Sequence, residues 1–120
     1  MRTAAGARAK VLELSIIQAT GTAQSIGLGR PQAIGVTPVN VLFQADDPGD
    51  PASVTNASLS WATSPTVPLI YHRRWNSAAT IGVGIVWTFP RGLIVPISSA
   101  LVLWNITTTV ACDVNCAIDE

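Results

Sequence analysis

The chain has 120 residues, enough for one domain with one hydrophobic core and too few for two ordinary domains. Charged residues make up 12%, about half of the usual share near 25%, and seven basic residues balance seven acidic ones. The neutral balance argues against a nucleic-acid partner, which would require a basic face. Because surface charge normally keeps a monomer dispersed, we expect other subunits to cover much of the surface; a monomer with a Ser/Thr-rich surface is the alternative.

The first ten residues, "MRTAAGARAK", are predicted to form a flexible arm that precedes a single domain spanning residues 11–120. No unbroken apolar stretch of the length found in a signal peptide follows the basic start. Together with only two cysteines in the chain, this favours synthesis in a reducing cytosol. The basic side chains of the arm, Arg2, Arg8 and Lys10, are candidate contacts to an acidic partner surface.

Alternating apolar and polar residues predict strands in "KVLELSIIQAT", "VNVLFQA" and "ASLSWAT". In the first of these segments, Leu12, Leu14 and Ile16 are expected on one face. The segment "TAQSIGLGRP" is expected to continue the pairing up to Pro31, and "LIYHRRWN" is predicted to be a strand or an irregular edge. The segment "DDPGDPASVTN" consists almost entirely of residues that favour turns and is predicted to be a loop.

The apolar segment "IVWTFPRGLIVPISSALVLWN" contains a single charge, Arg91, and raises the question of a membrane span. A spanning helix needs about 20 mostly apolar residues in one run. Pro90 and Pro96 would each break such a helix near its middle. No membrane partner is therefore expected.

The many β-branched residues of this segment favour strands instead. A strand is predicted over Ile81–Phe89, followed by a tight turn at "FPRG", where proline and glycine occupy favoured turn positions. A short strand over Leu93–Val95 and a longer one over Leu101–Thr107 follow. Both faces of the longer strand are largely apolar, which indicates that it is covered on both sides.

The last strand is predicted over Thr109–Ile118, with Cys112 and Cys116 on its half-buried face. Four residues along a strand separate two Cα atoms by roughly 13 Å. A disulfide requires a Cα separation within about 7 Å. The two cysteines are therefore expected to be free and to act as small apolar side chains.

No segment shows a sustained helical period, and seven or eight short strands are separated by turns. This pattern predicts an all-β fold, a single antiparallel β-sandwich that is jelly-roll-like.

Catalytic chemistry has little support in the sequence. The single histidine, His72, lies beside Arg73 and Arg74 without a nucleophile motif, and a surface or interface role is expected. The segments "GLG" and "GVG" lack the third glycine of a dinucleotide fingerprint. The loop "DDPGD" carries oxygen ligands of the kind that calcium prefers, but it lacks the spacing of an EF-hand, so a solvated acidic loop is expected. We expect neither an enzyme nor a cofactor.

The segment "YHRRW" is the one concentrated polar and aromatic cluster. Arginine and tryptophan are favoured anchors of protein interfaces, so Arg73, Arg74 and Trp75 are candidate interaction residues, together with Arg91 at a loop end. The arginines are expected to bind carboxylates such as Asp119 and Glu120 of a neighbouring subunit. A stack of Arg74 on Trp75 or Trp61 within the fold, and a platform for RNA bases, are alternatives; the neutral charge argues against RNA.

Four segments carry a resemblance to a known class of protein: "IGLGRPQAIGVTP", "SWATSPTVP", "RRWNSAATIGVGIVWTFPRGLIVP" and "LVLWN" with the terminal "DE". Over roughly residues 13–120 the chain resembles small β-rich virion structural proteins of tailed double-stranded DNA bacteriophages. The most specific parts are "WTFPRGL" and "LVLWN". The resemblance implies a protein made in the bacterial cytoplasm and located in the virion, often a homotrimer, and offers no catalytic residues to transfer.

Within that class, the resemblance favours a capsid decoration or cement protein that binds the major capsid protein in assembled capsomers. A neck, tail or head-fibre subunit of the same virion is the first alternative. A carbohydrate- or host-binding module, using Trp75 or Trp61 to stack on sugar rings, is the second.

Overall fold

A computed structural model describes residues 1–3, 8–107 and 110–120, with the side chains of Arg2, Thr3 and Thr37 outside the described part. The regular elements in this part of the chain are strands, joined by turns rich in Gly, Pro, Ser and Asp, so the predicted all-β class is confirmed. The nine strands are β1 (Arg2–Thr3), β2 (Ala9–Gln18), β3 (Ser25–Gly29), β4 (Val36–Leu42), β5 (Thr55–Thr63), β6 (Tyr71–Asn76), β7 (Gly84–Val95), β8 (Val102–Asn105) and β9 (Cys112–Asp119). None of the described residues belongs to a helix that is long and apolar enough to cross a bilayer.

The strands form three antiparallel sheets, ordered β7-β2-β9, β6-β3-β8 and β1-β5-β4. Side chains from β2, β7 and β3 and from the start of the β8 region form one hydrophobic core, which joins the first two sheets. Full burial of an aliphatic or aromatic side chain contributes about 1.5–3 kcal/mol, so this core is the main source of stability. The core cluster consists of Val11, Leu14, Ile16, Ile26, Leu28, Trp87, Phe89, Val95 and Leu101.

The prediction that Leu12 shares a face with Leu14 and Ile16 is wrong, because β2 carries a bulge. The ladder to both neighbouring strands shifts register between Val11 and Glu13, which leaves Leu12 as the extra residue. A bulge places two successive residues opposite one and so reverses the alternation beyond it. Val11 is therefore 0% exposed, whereas Leu12 is 41% exposed.

The predicted tight turn at "FPRG" is also wrong, because β7 continues through it. Thr88 and Leu93 both pair with β2. The residues between them, 89–92, lie opposite the bulge of β2 and have no pairing partner in β2. Pro90 has no N–H to donate and is tolerated in such a stretch. Gly92 adopts φ 69°, in the left-handed region that favours glycine, and this lets the strand resume its register.

Three strand boundaries differ from the predictions at their ends. The strand predicted from Ile81 begins at Gly84, since residues 81–82 form a turn in which Gly82 adopts φ 80°. The strand predicted to end at Thr107 ends at Asn105, but all four of its residues are at least partly buried, as its two apolar faces indicate. The last strand begins at Cys112; its predicted start, Thr109, lies outside the described residues.

The predicted arm, residues 1–10, contributes to two sheets. The β1 residues pair with Thr55 and Asn56 of β5, and the amino group of Met1 donates to the carbonyl of Leu101 at 2.9 Å. At the other end, Lys10 already pairs with Ile94 and Asp119, so β2 begins before the predicted boundary at residue 11. Residues 4–7 lie outside the described part of the chain.

Candidate interaction surface

Strand β6 brings the candidate residues of "YHRRW" to a sheet edge, because among the described strands it pairs with β3 alone. The ladder shifts register between Leu28 and Gly29, so His72 is the extra residue of a bulge. This bulge places Tyr71 and Arg74 on one face of the strand and Arg73 and Trp75 on the other.

Arg73 is held by two contacts at the boundary between two sheets. Its guanidinium lies 5.4 Å from the centre of the Phe89 ring in β7. Its Nη1 donates to the backbone carbonyl of His72 at 2.9 Å. Both contacts leave the side chain exposed, so the remaining N–H groups of the guanidinium face solvent in a fixed orientation.

Arg74 stacks on Tyr71 rather than on Trp75 or Trp61, the partners that the sequence suggested. The guanidinium lies 5.9 Å from the centre of the Tyr71 ring, and Nη2 donates to Ser25 Oγ at 3.3 Å. The ring itself lies directly against Gly27, where an added Cβ would be only 2.3 Å from Tyr71 Cδ1. Gly27 is therefore required for close approach of the ring, and "GLG" has a packing role.

Arg30 and Arg73 both lie near His72, and each places a positive charge beside its imidazole. Its Nη2 donates to the carbonyl of Ile94 in β7, and its buried Nη1 has no hydrogen-bond partner among the described residues. Partial burial, followed by the charges of Arg30 and Arg73, lowers the pKa of His72 below 6.5. We call Arg30, His72 and Arg73 the basic patch; Arg91, also exposed, follows Phe89 by two residues.

The arginines of this surface have no carboxylate partner within the described part of the chain. The one ion pair there joins Lys10 Nζ to Asp119 Oδ2 at 3.0 Å, between two half-exposed side chains. Such exposed pairs contribute about 0–1 kcal/mol. Lys10, predicted to contact a partner, is thus engaged within the chain.

The other sequence-predicted interaction residues are dispersed. Arg8 is exposed, and the side chain of Arg2 lies outside the described residues. Trp75 is half-buried and packs against the hydrophobic core, so its ring is engaged within the fold. The contacts of the arginines with Phe89 and Tyr71 were not predicted, because each contact depends on strand register rather than on spacing along the chain.

The acidic loop, residues 43–54, lies between β4 and β5 and borders a cavity of about 660 Å³. Asp46 and Asp50 line this cavity with residues 116–120 of β9 and the chain end. Asp47 Oδ1 accepts a hydrogen bond from the N–H of Gly49 at 2.8 Å, which closes a local turn. No group of three or more His, Cys, Asp or Glu side chains in the described ranges is arranged to hold a metal ion.

Glu120 ties β9 to the end of the acidic loop. Its carboxylate accepts hydrogen bonds from the N–H groups of Thr55 at 2.7 Å and Val54 at 3.1 Å. Burial raises the pKa of Glu120, but the hydrogen bonds from Thr55, Val54 and Ser53 outweigh burial and leave the pKa below its ordinary value. Glu120 and the ion-paired Asp119 both have partners within the chain.

Large apolar side chains remain exposed over much of the molecule. In the β4–β5 hairpin Leu59 is 74% exposed, and directly before β6 Leu69 and Ile70 are 75% and 78% exposed. Contiguous exposed apolar surface marks interaction sites in proteins. The exposed set comprises Leu12, Ile17, Val36, Val39, Val41, Leu42, Val54, Leu59, Val67, Leu69, Ile70, Ile81, Val86, Ile94, Ile97 and Val114.

A second, apolar cavity of about 370 Å³ separates the β4–β5 hairpin from the core. Leu28 and Trp104 line it on the core side, and Leu59 and Trp61 line it on the hairpin side. The indole N–H of Trp61 is buried without a hydrogen-bond partner among the described residues. The hairpin is therefore less closely packed than the two sheets that share the core.

Comparisons of the chain with protein-family models, with curated proteins and with solved structures found no match. Planar guanidinium groups held over aromatic rings bind carboxylates in bidentate geometry, and exposed aliphatic side chains supply contact area.

Proposed function

We propose that this protein is a non-enzymatic structural subunit of a tailed bacteriophage virion, and specifically a decoration protein that binds the assembled capsid and stabilises the head. The observation that carries the proposal is the amount of large apolar side chain left exposed in a chain with few charges. The resemblance of "WTFPRGL" and "LVLWN" to small virion proteins supports the same class.

The proposal includes the architecture. We propose that sheets β7-β2-β9 and β6-β3-β8 pack as a β-sandwich of the jelly-roll type. The shared core supports this arrangement, since it draws side chains from β2 and β7 of one sheet and from β3 of the other. The β4–β5 hairpin then extends from the sandwich and presents Val39 and Leu59 to a partner.

A decoration protein stabilises a shell by binding assembled capsomers and not free subunits. Selective binding to the assembled state shifts the equilibrium toward that state by mass action. A surface with few charges suits this role, because little charge has to be desolvated when the two surfaces meet. The partners in the proposal are other copies of the chain, as a homotrimer, and the major capsid protein.

Counting copies in purified virions by quantitative mass spectrometry tests the proposal. A copy number comparable with that of the major capsid protein is expected for a decoration protein. A number that is a small fraction of it would assign the chain to the neck, tail or head fibres instead. Absence from the virion would overturn the proposal altogether.

A binding experiment tests the surface that carries the proposal. Leu59→Asp places a charge on the exposed hairpin and is expected to abolish binding to undecorated heads. Ala79→Asp, at another exposed position away from the hairpin, is the matched control and is expected to bind like the wild type. Equal binding by both variants would show that the hairpin is not the contact.

A further inference from the structure

Two groups of opposite charge on the molecule have no ion-pair partner among the described residues. The basic patch lacks a carboxylate within the described residues, where the one ion pair uses Lys10 and Asp119. Its arginines are nevertheless held in place, Arg73 by Phe89 and Arg30 by the carbonyl of Ile94. Side chains that are already fixed lose little conformational freedom when they bind a partner.

Among the carboxylates without an ion pair, those of the acidic loop lie close together along the chain, whereas Glu13 and Asp113 lie singly on β2 and β9. Asp119 and Glu120 are engaged within the chain, and Asp47 closes its own turn. Asp46 and Asp50 are exposed and line the 660 Å³ cavity, and their side-chain carboxylates make no hydrogen bond or ion pair with a described residue.

The two groups lie on opposite flanks of one sheet. The basic patch lies beside β7, because Arg73 lies over Phe89 and Arg30 donates to the carbonyl of Ile94. The acidic loop borders β9, because it shares its cavity with residues 116–120. In the order β7-β2-β9 these strands are the two edges of the sheet.

We infer that copies of this chain associate head to tail, with the basic patch of one copy against the acidic loop of the next. Each copy then presents a basic flank to one neighbour and an acidic flank to the other, a heterologous contact that generates a ring when the rotation closes. The charges set the register of the contact, and guanidinium pairs with carboxylates give it specificity.

Exposed apolar residues beside both groups supply contact area. Leu69 and Ile70 directly precede β6 at the basic flank, and Val54 ends the loop at the acidic flank with half of its surface exposed. The inference concerns the purified protein in solution and stands whether or not the assembly belongs to a virion.

A charge-swap experiment, read by sedimentation velocity at low and high salt, tests the contact. The loop variant is Asp46→Arg with Asp50→Arg, and the patch variant is Arg30→Glu with Arg73→Glu. Each alone is expected to weaken self-association at least tenfold, whereas the chain carrying both swaps is expected to recover most of it. High salt is expected to weaken the wild-type assembly, because it screens exposed charges.

The control variant is Glu13→Arg with Asp113→Arg, which reverses two exposed carboxylates outside the acidic loop and is expected to leave self-association unchanged. The loop variant changes only exposed side chains, so it tests the contact even if the patch variant fails to fold. Three results would overturn the inference. The wild type could be monomeric, or the loop variant could associate as strongly as the wild type. The chain with both swaps could also fail to recover association although its circular dichroism spectrum is native.

Discussion

The guanidinium of Arg73 lies 5.4 Å from the centre of the Phe89 ring, and this contact joins β6 of one sheet to β7 of another. Phe89 belongs to the hydrophobic core, so its inner side packs against apolar residues while Arg73 covers its periphery. The exposed arginine is thereby in contact with a residue of the hydrophobic core. The contact connects the packing of the core with the orientation of the basic patch.

The Arg73–Phe89 pair is predicted to contribute measurable coupling to stability. Phe89→Leu keeps an apolar side chain but removes the ring, and Arg73→Ala removes the cation. A cation over an aromatic ring at an exposed site contributes about 0.5–1 kcal/mol, so the double variant should be less destabilised than the sum of the single variants by that amount. Urea unfolding of the four proteins measures the coupling, and strict additivity would show that the two side chains merely lie close.

The bulge in β2 gives a prediction on two adjacent residues. Val11→Ala removes a fully buried side chain and is expected to cost about 2 kcal/mol of unfolding free energy, whereas Leu12→Ala is expected to cost under about 0.5 kcal/mol. Simple alternation from Leu14 and Ile16 predicts the opposite order. Thermal or urea unfolding decides between them, and a larger loss for Leu12→Ala would place the bulge elsewhere.

The bulge in β2 also shows which features of the fold could be predicted from the sequence. Apolar alternation predicted the existence of β2 and β9 and the half-buried face with Cys112 and Cys116, because a strand buried on one face imposes a period of two. It did not predict where the period slips, since a bulge depends on the neighbouring strands. The prediction of a turn at "FPRG" was wrong for a related reason. Proline and glycine favour turns, but they are also tolerated in an unpaired stretch of strand opposite a bulge.

The candidate surface was predicted in its residues but not in its partners. A concentrated polar and aromatic segment drew attention to Arg73 and Arg74, and the structure places both at a sheet edge. Their aromatic partners, and the use of Asp119 and Glu120 within the chain, depend on contacts between residues distant in sequence. Residue type and local spacing carry no information about such contacts.

Gly27 is predicted to be intolerant of even a methyl group. In Gly27→Ala the new Cβ would meet the ring of Tyr71 at 2.3 Å, and overpacking of this kind costs about 1–3 kcal/mol. Gly21→Ala is the matched control, because a Cβ there meets no atom closer than 3.9 Å. The double variant Gly27→Ala with Tyr71→Ala should be about as stable as Tyr71→Ala alone, which would show that the clash with the ring is the cause. A Gly27→Ala variant as stable as the wild type would contradict the close contact.

Stability is predicted to fall in acid through Glu120. Its pKa is below the ordinary value of 4.5 in the folded protein, so the folded state binds fewer protons than the unfolded state between the two pKa values. The contribution of Glu120 is therefore present above about pH 4.5 and is lost as the pH falls through the folded pKa. Denaturant unfolding from neutral to acidic pH measures it.

The Glu120→Gln variant separates this group from the other carboxylates. It should lose about 1 kcal/mol at neutral pH, because the hydrogen bonds from Val54 and Thr55 then reach a neutral acceptor. Its stability should also fall less steeply with acid than that of the wild type. Parallel pH profiles for the two proteins would show that Glu120 does not contribute to acid sensitivity.

Cys116 is predicted to react slowly with alkylating reagents in the folded protein. Burial raises the pKa of its thiol from 9.0 to about 11, although the nearby amino group of Met1 lowers it in part. Because the thiolate is the reactive form, this rise reduces its population about a hundredfold near neutral pH, and burial restricts access further. In a Cys112→Ser background, mass spectrometry should show iodoacetamide labelling of Cys116 at least tenfold slower than in the denatured chain, since the greater nucleophilicity of a more basic thiolate offsets part of the lost population. A native rate within a few-fold of the denatured rate would mean that β9 leaves this thiol open to solvent.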